Sequence, residues 1–226
     1  METTTTYGSR TKSVEQILRS LQRLRTSKPA FKLPYSFQEV RGMLASSVAN
    51  EVAYRHRELI LNDCIQNYIN EAAKFLTEGN KFGLLICGTP GNGKTTLMRA
   101  IQTLINAIEM KDYYNDEISV RWFSAMDIVR AAKENRELFK KICECPALAI
   151  DDLGEEPVEV LVYGNAINPV IELLSFRYDR QLPTMVTTNT ANDKIRSNYG
   201  DRIADRFNEM MQVIIFTNPS FRTPQQ

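Results

Sequence analysis

One histidine, one tryptophan and four cysteines are all that 226 residues provide of those types. A zinc site has little to build on. His56 stands far from any cysteine, and Cys143 and Cys145 are too close together for CxxC geometry. The thiols at 64, 87, 143 and 145 read as reduced cysteines of a cytoplasmic protein. Long hydrophobic runs are missing as well. No stretch approaches the roughly 18 uncharged apolar residues of a membrane helix. The opening Met1-Glu2-Thr3 carries no apolar secretory segment, so a soluble chain without a membrane partner is expected. Charge of one sign is lacking too: 28 Lys and Arg face 27 Asp and Glu, for a net +1 with His neutral. That excludes a uniformly basic nucleic-acid-binding coat and leaves local basic patches open.

What is present is ordinary globular material, 43% hydrophobic and 24% charged, long enough to bury a core without staples. Its charge is uneven. Residues 1–57 hold 10 basic against 4 acidic side chains, and 58–226 hold 18 against 23. The split suggests a basic N-terminal segment, 1–57, joined to an acidic body, 58–226. Residues 1–12 read as a frayed polar tail. Ser13 with Gln16 forms a capping box that opens a helix bearing Val14, Ile17, Leu18, Leu21 and Leu24, ended by Lys28-Pro29. A linker runs from Pro29 to Pro34. Ser36 with Glu39 starts a second helix with Val40, Met43, Leu44 and Val48 inward, and a third amphipathic stretch spans 59–76.

From Phe82 short apolar runs alternate with helical patterns. Strands are expected at 82–87, 120–123, 147–150, 185–188 and 213–216, with helices at 95–110, 127–142, 166–180 and 200–210. This is the pattern of an α/β domain with a five-stranded, mainly parallel sheet.

The chemistry begins at the end of the first strand. Gly88-Thr89-Pro90-Gly91-Asn92-Gly93-Lys94-Thr95, followed by Thr96, fits GxxxxGK(S/T) between a strand and a helix. Glycines let backbone N–H groups converge on phosphate oxygens, and the helix N-terminus favours anions. Lys94 is placed for the β- and γ-phosphates of ATP and Thr95 for Mg²⁺. The run 147–150 ends in Asp151-Asp152, 57 residues beyond Lys94. Asp151 suits the metal and Asp152 suits the attacking water. Glu155 and Glu156 read as surface charge. Thr187-Thr188-Asn189 ends a later strand at the sheet edge where ligands lie, making Asn189 a candidate for the γ-phosphate and lytic water. One strand between the phosphate loop and the Asp pair, with another after it, fits ATPases with an inserted strand. A small-molecule kinase lacks an evident lid here. A nucleotide-gated adaptor without significant hydrolysis is the alternative from another class.

The set formed by 88–96, Ile150-Asp151-Asp152-Leu153-Gly154, Arg177-Tyr178, Thr187-Thr188-Asn189, Asp201 to Phe207 and Ser220-Phe221-Arg222 resembles the AAA+ family. More narrowly it resembles the DnaC/DnaI helicase loaders and the related IstB transposition ATPases, over about 60–222. The resemblance implies an AAA+ core without a full C-terminal helical lid, because only about ten residues follow Phe216. It implies a Mg²⁺-dependent ATPase that assembles with itself in the presence of ATP. Its partners would be a replicative hexameric helicase, gripped through 1–57, and single-stranded DNA. An IstB-like helper for a transposase is the rival within the family. The resemblance also makes Arg206 a finger for a neighbouring subunit's ATP, with Arg202 second; an ion pair among Asp201, Asp205 and Glu209 is the alternative. Arg222 becomes a nucleotide sensor, and Arg177 a residue that ends its helix. Arg130, Lys133, Arg136 and Lys140 fall on one arc of one expected helix, where loaders place DNA contacts, and Lys133 is the chosen candidate. Trp122 and Phe123 point opposite ways on a strand, so at least one belongs to the core.

Overall fold

The computed structural model describes residues 12–24, 31–111, 117–162, 164–189 and 192–222. The expected polar tail and the helix end at Lys28-Pro29 lie outside the described residues. The order is α1 (Val14–Leu24), α2 (Phe37–Ala53), α3 (Asp63–Glu78), β1 (Gly83–Gly88), α4 (Lys94–Ile108), β2 (Val120–Ser124), α5 (Ala125–Glu134), α6 (Arg136–Glu144), β3 (Ala147–Leu153), β4 (Val160–Val162), β5 (Asn165–Ile167), α7 (Pro169–Asp179), β6 (Thr184–Thr188), α8 (Asn192–Met210) and β7 (Met211–Phe216).

Five strands form one sheet in the order β2-β3-β6-β1-β7, every pairing parallel. β6 is inserted between β1 and β3. Parallel neighbours need crossover helices, and these cover both faces. One face carries α2, α3 and α4 over Leu84, Ile86 and Ala149. The other carries α5, α6, α7 and α8 over Leu85, Leu148, Ile150 and Val186. Val40, Leu44 and Val48 of α2 are buried in the first of these layers, each contributing roughly 1.5–3 kcal/mol of apolar burial. The division at residue 57 thus follows a helix already packed in the body's core.

Local chemistry sets the helix starts. Both expected capping boxes form: Ser13 N–H donates to Gln16 Oε1 at 3.0 Å, and Ser36 N–H to Glu39 Oε2 at 2.8 Å. A third joins Ser124 and Asp127 at the start of α5.

Three expectations need correction. The helix expected over 127–142 is two helices. Asn135, at φ −149 and ψ 87, ends α5 through its backbone and starts α6 by accepting from Leu138 N–H at 2.9 Å. Arg130 and Lys133 therefore sit on α5, and Arg136 and Lys140 on α6. The helix expected from 166 starts at Pro169, because Asn165–Ile167 instead pair antiparallel with Val160–Val162 as β5 with β4. The helix expected over 200–210 reaches back to Asn192 with a kink at Gly200, whose φ of 80° favours glycine.

Candidate nucleotide site

Four separate segments meet at the carboxyl ends of β1, β3 and β6. The parallel register puts Cys87 beside Thr188, and Leu153 beside Thr188 on the other flank. The phosphate loop and Asn189 are thereby brought together. Lys94 Nζ donates to Asn189 Oδ1 at 2.8 Å, to the carbonyls of Gly88 and Thr89 at 2.8 Å each, and to Asn92 Oδ1 at 3.2 Å. Burial pushes its pKa down, opposed by Asp152, Cys87 and Asp151. Thr95 Oγ1 donates to Asp151 Oδ1 at 3.0 Å, and Thr187 Oγ1 donates to the same oxygen at 2.5 Å. A hydroxyl and a carboxylate so placed are hard oxygen donors, which suits Mg²⁺ with water and phosphate completing the shell.

Asp152 follows a register shift between Ile150 and Leu153 and sits at φ +56, a left-handed conformation uncommon for a non-glycine residue. Its N–H donates to Thr187 Oγ1 at 3.0 Å. Its pKa is raised, first by burial, then by Asp151 and Glu155, against the opposing charges of Lys94 and Arg222. Asn189 Nδ2 donates to Glu155 Oε1 at 3.4 Å. Lys94, Thr95, Asp151, Asp152 and Asn189 thus form one site.

The segment 218–222 belongs to it as well. Phe221 N–H donates to Gly91 O at 2.9 Å, and Asn218 Nδ2 donates to Asn92 O at 3.0 Å. A Cβ on Gly91, already at φ +81, would lie 2.3 Å from Ser220 Oγ and 3.3 Å from Arg222 Cδ. Arg222 is therefore at the phosphate loop.

Two basic residues there were not foreseen. Arg55 donates to Thr96 Oγ1 at 2.8 Å, and Arg57 donates to Phe221 O at 2.7 Å. They appeared in sequence only as a charged break after the second helix. Their spacing carries no motif, and tertiary folding alone brings them to Thr96 and Phe221.

Other expected residues lie elsewhere. Arg206, with its side chain 11% exposed, pairs with Asp179 at 3.1 Å and stacks on Tyr178 at 4.5 Å. Asp201 and Asp205 pair instead with Arg196, and Glu209 accepts from Tyr178. Tyr178, Asp179 and Glu209 line an open cleft of about 420 Å³. Arg202 and Lys133 are exposed. Arg177 is completely buried and holds backbone carbonyls far from the phosphate loop. Trp122 and Phe123 each pack against a different core, and Arg99 lies 3.4 Å from the Trp122 ring centre. Glu156 corrects the reading of surface charge. It is 7% exposed, accepting from Gly154 N–H at 2.8 Å and from Tyr199 Oη. Its signal was weak because a carboxylate in an acidic turn looks solvated until a distant tyrosine covers it.

Burial raises the Cys87 thiol to about 11 and Cys143 to about 12, so neither is an activated nucleophile. No helix among the described residues is long and apolar enough to cross a membrane.

No family model matches the chain, and no curated protein matches it. Solved structures do. The DnaC helicase loader superposes with a TM-score of 0.54 at 21% identity, over 70% of this chain and 93% of that one. DnaI gives 0.55 at 23% identity, over 80% and 92%. AMPPCP-bound DnaA from Aquifex aeolicus gives 0.52 at 16% identity, over 70% of this chain and 48% of that one. The likeness is one of fold: an α/β core with a five-stranded parallel sheet.

Proposed function

We propose that this chain is a Mg²⁺-dependent ATPase of the helicase-loader kind, switched by ATP between assembled and released states. The observation that carries the proposal is the meeting of Lys94, Thr95, Asp151 and Asn189 within hydrogen-bond reach at one sheet edge. Lys94 Nζ exchanges its loop carbonyls for β- and γ-phosphate oxygens of ATP, and the backbone N–H groups of 88–96 cradle the same phosphates. Thr95 Oγ1 and Asp151 would hold Mg²⁺, which would offset negative charge on the phosphoryl oxygens. Asp152 accepts the proton of the attacking water, and Asn189 orients that water while Lys94 fixes the side chain.

The wider reading extends to partners. Val14, Ile17, Leu18 and Leu21 of α1 expose 73%, 44%, 53% and 55% of their surface. Such an apolar stripe on the N-terminal segment suits a protein partner, a hexameric replicative helicase. Lys133 with Arg130 on α5 supplies a local basic surface for single-stranded DNA. Arg206 serves a neighbouring subunit after leaving Asp179 and Tyr178. Recovery of a hexameric helicase on the tagged chain, with at least a severalfold difference between ATP and no nucleotide, is the expected pull-down result. Absence of the helicase under both conditions, or recovery of a transposase in its place, overturns loading.

The raised pKa of Asp152 gives the hydrolytic reading a sign. The carboxyl keeps its proton to higher pH than a free aspartate, so the base form is lost earlier on acidification. The acid limb of kcat is expected above the ordinary aspartate range. Asp152→Asn should lower kcat by about 100-fold or more and remove that limb. A kcat–pH profile unchanged by the substitution removes Asp152 from the proton transfer. By linkage, the stabilisation of the protonated form is full below the unfolded aspartate pKa and is lost as pH rises through the folded value.

A further inference from the structure

Asp152 sits at φ +56, a left-handed conformation uncommon outside glycine, and bonds from its own turn and from neighbouring segments fix it there. From within the turn the support is a single bond, Glu155 N–H donating to Asp152 O at 3.2 Å. From outside, Thr187 Oγ1 accepts from Asp152 N–H at 3.0 Å, and Thr188 Oγ1 donates to Leu153 O at 2.6 Å. The remaining support is Glu156. One carboxylate oxygen accepts from Gly154 N–H at 2.8 Å, and the other accepts the Tyr199 hydroxyl.

This carboxylate is the buried acidic group to which no catalytic step assigns a task. Glu156 is 7% exposed and Tyr199 4% exposed, so neither is solvated in place of the other. A carboxylate buried beside a turn costs stability unless donors meet it, and here both donors are supplied by structure that must stay still. Tyr199 lies 43 residues from Glu156 in sequence and directly precedes the Gly200 kink of α8. Arg196 reaches across that kink to Asp201 and Asp205. The C-terminal half of the same helix carries Arg202 and Arg206.

We propose that Glu156 and Tyr199 are positioning residues that tie the Asp152 turn to the kinked helix α8, so that the setting of α8 governs the alignment of Asp152 for hydrolysis. The inference rests on the ATPase reading and deepens it, by naming the path through which the helix bearing Arg206 acts on the chain's own site. Neither residue touches nucleotide. Both act through the backbone at 152–154. Burial and the bond to Glu156 both raise the tyrosine pKa, so the hydroxyl stays a donor throughout the neutral range.

The test is kcat against nucleotide affinity in the full chain with ATP, Mg²⁺, single-stranded DNA and helicase present. Tyr199→Phe removes one oxygen and keeps the ring in the core. Its kcat is expected to fall about tenfold while the Kd for an ATP analogue stays within twofold, because small misalignments of a catalytic group cost rate steeply. Glu156→Met keeps much of the volume and removes both acceptors, and the same split is expected. This second variant decides the matter if the phenylalanine variant does not fold. Wild-type kcat in a folded variant overturns the link, and so does an equal loss of affinity and rate, which marks a purely structural role. Undetectable hydrolysis by the wild-type chain overturns the ATPase reading and the link together. Hydrolysis by wild type with unaffected variants overturns the link alone.

Discussion

Lys94→Met is expected to weaken ATP binding by at least about 100-fold, measured as a Kd by calorimetry. The ammonium is held by Gly88 O, Thr89 O, Asn92 Oδ1 and Asn189 Oδ1. It therefore sits where the loop and Asn189 converge, and charge-assisted hydrogen bonds are each worth about 1.5–3 kcal/mol. Two such bonds to phosphate suffice for the expected loss. Lys94→Arg should not restore affinity. A planar fork presents its donors along fixed directions, whereas these acceptors surround one nitrogen. The methionine variant should also lose roughly 1–3 kcal/mol of folding stability, since Gly88 and Thr89 carbonyls lose their shared donor. A Kd within threefold of wild type ends the claim that this loop binds phosphate.

Arg177→Met should have the largest effect on stability, lowering the unfolding free energy by about 3–5 kcal/mol, because several buried acceptors lose their donor at roughly 1–3 kcal/mol each. The guanidinium is fully buried, and its bonds among the described residues go to neutral acceptors. It donates to Cys143 O at 3.0 Å, Cys145 O at 2.9 Å, Pro183 O at 2.6 Å and Thr184 Oγ1 at 2.8 Å. Cys143 O, Cys145 O and Thr184 Oγ1, at the end of α6, the approach to β3 and the start of β6, take bonds from this one side chain of α7, while Pro183 O also accepts from Leu148 N–H at 3.0 Å. Methionine fills much of the volume and satisfies none of them. Denaturant unfolding followed by circular dichroism reads the loss as a lower midpoint. Folded variant should bind ATP with wild-type affinity, because Arg177 lies away from the phosphate loop. A loss below 1 kcal/mol shows that the carbonyls find other donors.

Much of the site was legible because its conformations are encoded over a few residues. The loop 88–96 needs glycines at fixed offsets and a lysine opening a helix, and sequence carries both directly. Capping boxes at Ser13 and Ser36 are equally local, and they form. Apolar runs of four to six residues between helical patterns marked the five sheet strands, since buried parallel strands admit few polar residues. The β4-β5 hairpin escaped notice because its three-residue strands lack a buried face to imprint a pattern. The break at Asn135 was hidden by a basic periodicity that happens to run on through both helices.

What sequence could not decide involves partners far apart along the chain. Lys94 and Asn189 are 95 residues apart, and only the insertion of β6 beside β1 makes them neighbours. Asp179, rather than the acids of its own helix, holds Arg206 because α7 packs on α8. Glu156 turned from apparent surface charge into a buried anchor once Tyr199 covered it. The scarcity of histidine and cysteine, and the balanced charge, already excluded a zinc site of the usual spacing and a uniformly basic coat. What the sequence itself determined was the glycine-rich loop motif at 88–96 and the oxygen-bearing residues at the ends of two later strands. Their alignment was decided by tertiary structure, because hydrogen-bond geometry between segments depends on strand order and helix packing, which local propensity does not specify.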